Sequence, residues 1–136
     1  MTALVLDTRA VEVLADRRAD PTATKRVRAM LTAAARLGVP VRASTAVLSE
    51  MYQGKAGDAR IDFVLARGVR PVTMDQAMAR IAGGLRARDR LESCHTVDAF
   101  VVATSVRLGG GIVATGDPDD LRALGRDHPG VRIEAI

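Results

Sequence analysis

With 136 residues, 48% of them hydrophobic and 26% charged, the chain is sized for one globular domain over residues 1–136, and no run is apolar enough to span a membrane. The net charge of +4 favours an anionic partner such as nucleic acid, although the arginine bias behind it is equally compatible with GC-rich coding. The single cysteine, Cys94, excludes an internal disulfide and a thiolate zinc site. The low aromatic content of 2% argues against binding by base stacking. Because the sequence shows no secretory leader, we expect a cytoplasmic protein.

The first half of the chain alternates between short apolar runs and segments with helical spacing. The run at 3–6 predicts a central strand, because a parallel strand buried on both faces is apolar throughout. In chain order there follow a helix at 10–16, a long helix from Pro21 to its C-cap Gly38, a strand at 39–43, a helix that begins at Ser44 or Thr45 and ends near Gly54, and a short helix at 58–66.

The second half continues this alternation. In chain order we predict a strand at 69–72, helices at 74–88 and 97–108, a strand at 112–115, a helix at 118–125 and a last strand at 131–135. Strands that alternate with helices imply a parallel sheet of about five strands with right-handed connections. The expected fold class is therefore a three-layer α/β/α domain.

Two acidic residues lie at the ends of predicted strands, since Asp7 directly follows the first strand and Asp117 lies just past the fourth. Ligands of open parallel sheets bind beyond the carboxyl ends of the strands, so we expect both carboxylates at that edge. An aspartate after a strand also commonly serves as a turn or helix-cap residue, and for either residue taken singly that structural interpretation is the stronger one.

Two further acids lie on predicted helices. Glu50 follows Val47 on or beside the apolar face, and Asp98 lies in the apolar run 97–103, where an unpaired charge is unfavourable. Exposure at the edge of the face and helix capping are the respective alternatives. Taken together, carboxylates from two strand ends and two helices would repel one another unless a cation compensated them, and hard oxygen ligands select Mg²⁺ or Mn²⁺. Such a site suits phosphodiester hydrolysis.

Four short motifs, in the same order along the chain, resemble those of the PIN-domain family, especially the VapC-type toxins of bacterial toxin–antitoxin pairs. The motifs are Leu4–Thr8, Val47–Glu50, Val97–Thr104 and the Thr-x-Asp segment Ala114–Leu121. Each motif is short, but all four occur in register over a chain of suitable length. The resemblance covers residues 3–136 and implies a PIN-like fold.

The resemblance further implies a metal-dependent endoribonuclease. Its catalytic and metal-binding residues would be Asp7, Glu50, Asp98 and Asp117, holding one or two Mg²⁺ or Mn²⁺ ions. By analogy, activated water attacks phosphorus in line and leaves a 5′-phosphate and a 3′-hydroxyl on the RNA. The family also implies a homodimer, and a cognate antitoxin that occupies the active-site groove.

Other residues near the motifs have expected roles. By the same resemblance, Thr8 and Thr115 would orient the acids through their hydroxyl groups. Asp120 could be an extra ligand or support one, although its place in the first turn of a helix favours a structural role. Arg9 replaces a small residue and could approach a substrate phosphate or point into solvent. We expect His95, which precedes the third motif, to be a surface or capping residue.

Two other classes of protein remain as alternatives. A non-catalytic PIN-like module that binds RNA or a protein is compatible with Arg9 and with the altered surroundings of Asp98. A receiver-like signalling domain is compatible with the size and the predicted sheet topology, but it needs paired acids at the first strand and a late lysine. Asp7 has no acidic neighbour and no lysine follows Lys55, so the sequence disfavours that class.

Overall fold

The computed structural model describes residues 2–88 and 95–136, so Cys94 lies outside the described residues. Within them, five strands form one sheet in the order β3-β2-β1-β4-β5, and every pairing is parallel. The strands are β1 (Ala3–Leu6), β2 (Val41–Ser44), β3 (Val69–Val72), β4 (Gly111–Thr115) and β5 (Val131–Ala135). The predicted parallel sheet of about five strands is thus confirmed.

Seven α-helices in the described residues connect and cover these strands. They are α1 (Thr8–Ala15), α2 (Pro21–Leu37), α3 (Thr45–Met51), α4 (Ala59–Ala66), α5 (Gln76–Arg88), α6 (Thr96–Arg107) and α7 (Pro118–Gly125), and a 3₁₀ turn at Ala56–Asp58 precedes α4. Each helix occupies a segment predicted to be helical, and the ends differ by a few residues. No helix in the two described ranges is both long and apolar enough to cross a membrane.

Local side-chain contacts explain where several helices begin and end. The Asp7 carboxylate accepts a hydrogen bond of 2.8 Å from the backbone N–H of Ala10, so α1 begins earlier than the apolar spacing predicts. Ser44 caps α3 by accepting a hydrogen bond from Ala46. Gly38 ends α2 with φ of 67°, a left-handed conformation that glycine adopts without steric penalty.

The helices form two layers around the sheet. Helices α2 and α4 pack against α1 in one layer, and helices α5 and α7 pack against α6 in the other. Helix α6 contacts β1, β2, β4 and β5, which puts its apolar residues at the centre of the core. Fully buried side chains join the layers, among them Leu6, Val47, Met78, Val101 and Leu121. This arrangement is the predicted three-layer α/β/α architecture.

The order of the strands reverses between β1 and β4. From β1 the chain moves outward to β2 and β3, and it then returns to the other side of β1, where Leu6 is in register with Ala114. A reversal of this kind leaves a crevice beyond the carboxyl ends of the two central strands, which is where open α/β sheets bind their ligands. The topology therefore directs attention to the residues that follow Leu6 and Thr115.

Candidate metal centre

An acidic cleft of about 360 Å³ lies at this crevice. The four acids singled out in the sequence all line it, although they come from two strand ends and two helices. Its full lining is Asp7, Thr8, Arg9, Glu12, Glu50, Asp98, Gly116 and Asp117.

The carboxylate of Asp7 is buried, with 5% of the residue exposed. One oxygen accepts the hydrogen bond that caps α1, and the other accepts a hydrogen bond of 3.1 Å from the backbone N–H of Gly116. Burial raises the pKa of Asp7, and hydrogen bonds from the Thr115 hydroxyl and from the backbone at Ala10 and Gly116 partly offset that rise. Asp7 is therefore held in one position at the end of β1.

Glu50 reaches the cleft from α3 and is exposed to solvent. The hydroxyl group of Thr8 donates a hydrogen bond of 2.7 Å to Oε2 of Glu50. Because Thr8 is the first residue of α1 and directly follows Asp7, this contact ties the exposed carboxylate to the buried one. Thr8 thus limits the positions that the Glu50 side chain can adopt.

Asp117 and Asp98 complete the set of four acids. The backbone N–H of Asp117 donates a hydrogen bond of 2.8 Å to the Thr115 hydroxyl, and Asp98 lies half-buried in the first turn of α6. Burial, and then the negative charges of Asp117, Asp7 and Asp120, raise the pKa of Asp98 to about 6. A carboxyl group perturbed in this way indicates that the acids are close enough to repel one another.

In the described residues, one trio of side chains has metal-ligating atoms close enough to share an ion, and it contains one of the four acids. Ligand atoms of His95, Asp98 and Asp120 lie within 4.8 Å of one another, with 4.0 Å between Nδ1 of His95 and Oδ2 of Asp120. In the part of the chain that the structure describes, Asp7 and Asp117 line the cleft without joining such a trio. Asp98 therefore stands between two groups of ligating side chains.

We did not expect from the sequence that the imidazole of His95 would lie beside two of the acidic side chains. His95 occupies the N-cap position of α6, but its side chain makes no capping hydrogen bond. It precedes Asp98 by three residues at the start of a helix, a spacing that places two side chains on the same face. That spacing was the available signal, but nothing along the chain indicated that Asp120 would lie beside them.

Arg9 lies at the edge of the cleft in a setting that neither expectation described. Its guanidinium group forms ion pairs of 3.0 Å with Asp20 and 3.4 Å with Glu12. Its aliphatic stem lies against Gly116, where an added Cβ would come within 2.6 Å of Cγ of Arg9. Arg9 thus brings a positive charge to the cleft while its two acidic partners hold it in place.

Known proteins resemble this chain in structure but not in sequence. No protein-family model matches this sequence, and no curated protein sequence matches it. The chain is similar in structure to a chain in the crystal structure of VapBC2 from Rickettsia felis bound to a DNA fragment from their promoter, with a TM-score of 0.71 and 14% sequence identity over 99% of both chains. The chain therefore shares the α/β fold of that chain, in agreement with the fold class predicted from the sequence.

Proposed function

We propose that this protein is a divalent-metal-dependent endoribonuclease and the toxin of a type II toxin–antitoxin pair. The observation that carries the proposal is the presence of four acids, remote from one another in sequence, around one cleft at the reversal point of the sheet. The similarity of the fold to a chain of VapBC2 adds support.

In this proposal Asp7, Glu50, Asp98 and Asp117 are the catalytic residues and hold Mg²⁺ or Mn²⁺. The donor set fits such an ion because carboxylate oxygens are the ligands that it prefers. Burial and then the neighbouring negative charges raise the pKa of Asp98, and a cation would compensate those charges. A bound ion supplies water of lowered pKa and stabilises charge on the scissile phosphate. Thr8 would orient Glu50 for this purpose.

The substrate would be RNA, as the family resemblance implies, and its phosphates need a positive partner in an otherwise acidic cleft. Arg9 is placed to provide one, since its guanidinium group lies at the edge of the cleft beside Asp20 and Glu12. A guanidinium group can bind carboxylate and phosphate oxygens in the same geometry, so exchange of one for the other requires little movement. The net charge of +4 also favours a polyanionic substrate.

The proposed antitoxin would occupy the active-site groove, and a separate groove between α1, α2 and α4 offers it a further contact surface. Its volume is about 240 Å³, and its apolar lining includes Leu14, Leu31 and Phe63. Arg17, Arg28 and Arg67 also line it, and the Arg67 guanidinium carbon lies 5.1 Å from the centre of the Phe63 ring. An apolar groove edged by arginines suits an amphipathic segment that carries acidic residues. The homodimer implied by the family resemblance stays a prediction.

Cleavage of structured RNA in the presence of Mn²⁺ tests the catalytic proposal. We expect Asp98→Asn and Asp117→Asn to reduce the rate of cleavage by about a hundredfold or more. Loss of a residue that only hydrogen-bonds to a metal ligand lowers activity about 10- to 100-fold, and loss of the ligand itself should lower it further. Asp119→Asn is the matched control, since Asp119 lies on α7 beside Asp120 but its side chain is 96% exposed and pairs with Arg122.

Two outcomes would contradict the proposal. Equal cleavage by the wild type and by both cleft variants would show that the four acids are not the catalytic site. Binding of Mn²⁺ and RNA without turnover would instead favour the alternative, a non-catalytic PIN-like module that binds RNA or a protein.

A further inference from the structure

We propose that His95, Asp98 and Asp120 form a second cation position, with one nitrogen and two oxygen ligands, which prefers transition-metal ions such as Mn²⁺ to Mg²⁺. The inference rests on the proposed function only in that Asp98 belongs to both groups of ligands. Its consequence is that His95 would determine which metal activates the protein.

The three side chains come from two packed helices, which fixes their separation. His95 and Asp98 lie at the start of α6, Asp120 lies in the first turn of α7, and the two helices are in contact. The ligand atoms lie within 4.8 Å of one another, a spacing that a single ion can bridge after small side-chain rotations. The side chain of His95 is 26% exposed, so the imidazole is largely enclosed by the protein.

The imidazole is available to such an ion. It makes no capping hydrogen bond, and its nearest charged partner is Asp120 at 4.0 Å, which is beyond hydrogen-bonding distance. Within residues 2–88 and 95–136, neither Asp98 nor Asp120 forms an ion pair with a lysine or arginine. In those residues the trio thus combines an imidazole nitrogen donor with two carboxylates that no lysine or arginine pairs with.

The charge around Asp98 supports the same interpretation. Asp98 lies close enough to Asp117, Asp7 and Asp120 for their negative charges to repel its own, and His95 is the nitrogen-bearing side chain beside it. A cation beside His95 would compensate the carboxylates of Asp98 and Asp120 together.

The nitrogen ligand gives this position its selectivity. Mg²⁺ prefers oxygen ligands and loses its bound water reluctantly, whereas first-row transition metals accept imidazole readily. Replacing one oxygen ligand by His95 should therefore weaken Mg²⁺ binding more than Mn²⁺ binding. The four-acid group, with oxygen ligands only, would not discriminate in the same way.

Pulsed electron paramagnetic resonance of the Mn²⁺-loaded full chain tests the proposal, because it detects a nitrogen nucleus bound to Mn²⁺ independently of catalysis. We expect an imidazole nitrogen signal in the wild type, its loss in His95→Gln, and an affinity of this position for Mn²⁺ lowered about tenfold or more in that variant. His128 is the chain's only other histidine, so His128→Gln is the matched control and should keep the signal.

Absence of the nitrogen signal from the wild type would overturn the inference, as would its persistence in His95→Gln or its loss in His128→Gln. Asp120→Asn gives a second test if circular dichroism shows that His95→Gln does not fold, and it should weaken the nitrogen signal. Failure of this inference alone would leave RNA cleavage that depends on Asp98 and Asp117. Nitrogen coordination in a protein that does not cleave RNA would instead remove the proposed function and retain the metal position.

Discussion

The carboxylate of Asp7 accepts a hydrogen bond of 3.1 Å from the backbone N–H of Gly116, and so one side chain joins the ends of the central strands β1 and β4. Its other oxygen caps α1 through Ala10. Both oxygens are thus engaged with the backbone on the two sides of the cleft. Asp7 therefore supports the fold as well as the proposed metal site, and its substitution should affect both.

The variant Asp7→Ala should separate these two contributions when it is compared with a variant that removes the cap of another helix. Loss of the cap of α1 should lower the free energy of unfolding by about 1–2 kcal/mol. Asp75→Ala is the control, because Asp75 accepts a hydrogen bond of 2.8 Å from the backbone N–H of Met78 and does not line the cleft. It also removes an exposed ion pair with Arg107, which contributes little to stability because water screens the two charges. Chemical denaturation should show comparable losses, whereas RNA cleavage should fall only in Asp7→Ala. A similar fall in Asp75→Ala would assign the effect to stability.

Thr8 should affect activity more than stability. Thr8→Val removes the hydroxyl that donates to Glu50, and since that bond is exposed the free energy of unfolding should change by less than about 1 kcal/mol. Release of Glu50 should lower the rate of RNA cleavage about 10- to 100-fold. Thr8→Ser retains the hydroxyl and should keep most of the activity. Wild-type rates in Thr8→Val would show that the contact does not position Glu50.

Gly116 should tolerate no side chain without movement of Arg9. In Gly116→Ala the added Cβ would lie 2.6 Å from Cγ and 2.9 Å from Cβ of Arg9, and these atoms lie too near the backbone to move freely. We expect Arg9 to shift away from Asp20 and RNA binding to weaken. Gly84→Ala is the control, because nothing lies within 4 Å of its Cβ and alanine should stabilise the exposed helix position by about 0.5–1 kcal/mol.

A crystal structure of Gly116→Ala and its RNA affinity would check this prediction. An unmoved Arg9 with unchanged affinity would contradict it.

The raised pKa of Asp98 should make the metal-free protein more stable in mild acid than at neutral pH. The folded protein binds a proton at Asp98 below about pH 6, whereas an unfolded aspartate does so only near its usual value of 3.8. The free energy of unfolding should therefore rise as pH falls from 7 through 6 towards 4. Denaturation in a chelator at pH 7 and pH 5 measures the effect, and Asp98→Asn should reduce the slope. A wild-type slope identical to that of the variant would exclude Asp98 as its source.

Added Mn²⁺ gives an independent check on the same charges. The ion binds the ionised carboxylates, so it should stabilise the protein more at pH 7 than at pH 5. Thermal unfolding at both pH values, with and without Mn²⁺, would measure this difference. A larger stabilisation at pH 5 would contradict the assignment of carboxylates as ligands.

The sequence was enough to predict the succession of strands and helices along the chain and the α/β class. It also predicted that Asp7 and Asp117 lie at strand ends. Apolar periodicity and caps such as Gly38 depend on residues a few positions apart, so they can be read along the chain. The carboxyl ends of parallel strands meet at one edge of the sheet, which made the location of the cleft predictable as well.

Only the tertiary structure decided which side chains meet around the cleft. The contact between Thr8 and Glu50 spans 42 residues, and the proximity of His95 to Asp120 depends on how α6 and α7 pack. The rotation of a helix about its axis and the choice of rotamers follow from packing across the whole core, and no local pattern records them. The sequence by itself determined the fold and the edge of the sheet that carries the acids. Packing determined that an imidazole lies among them.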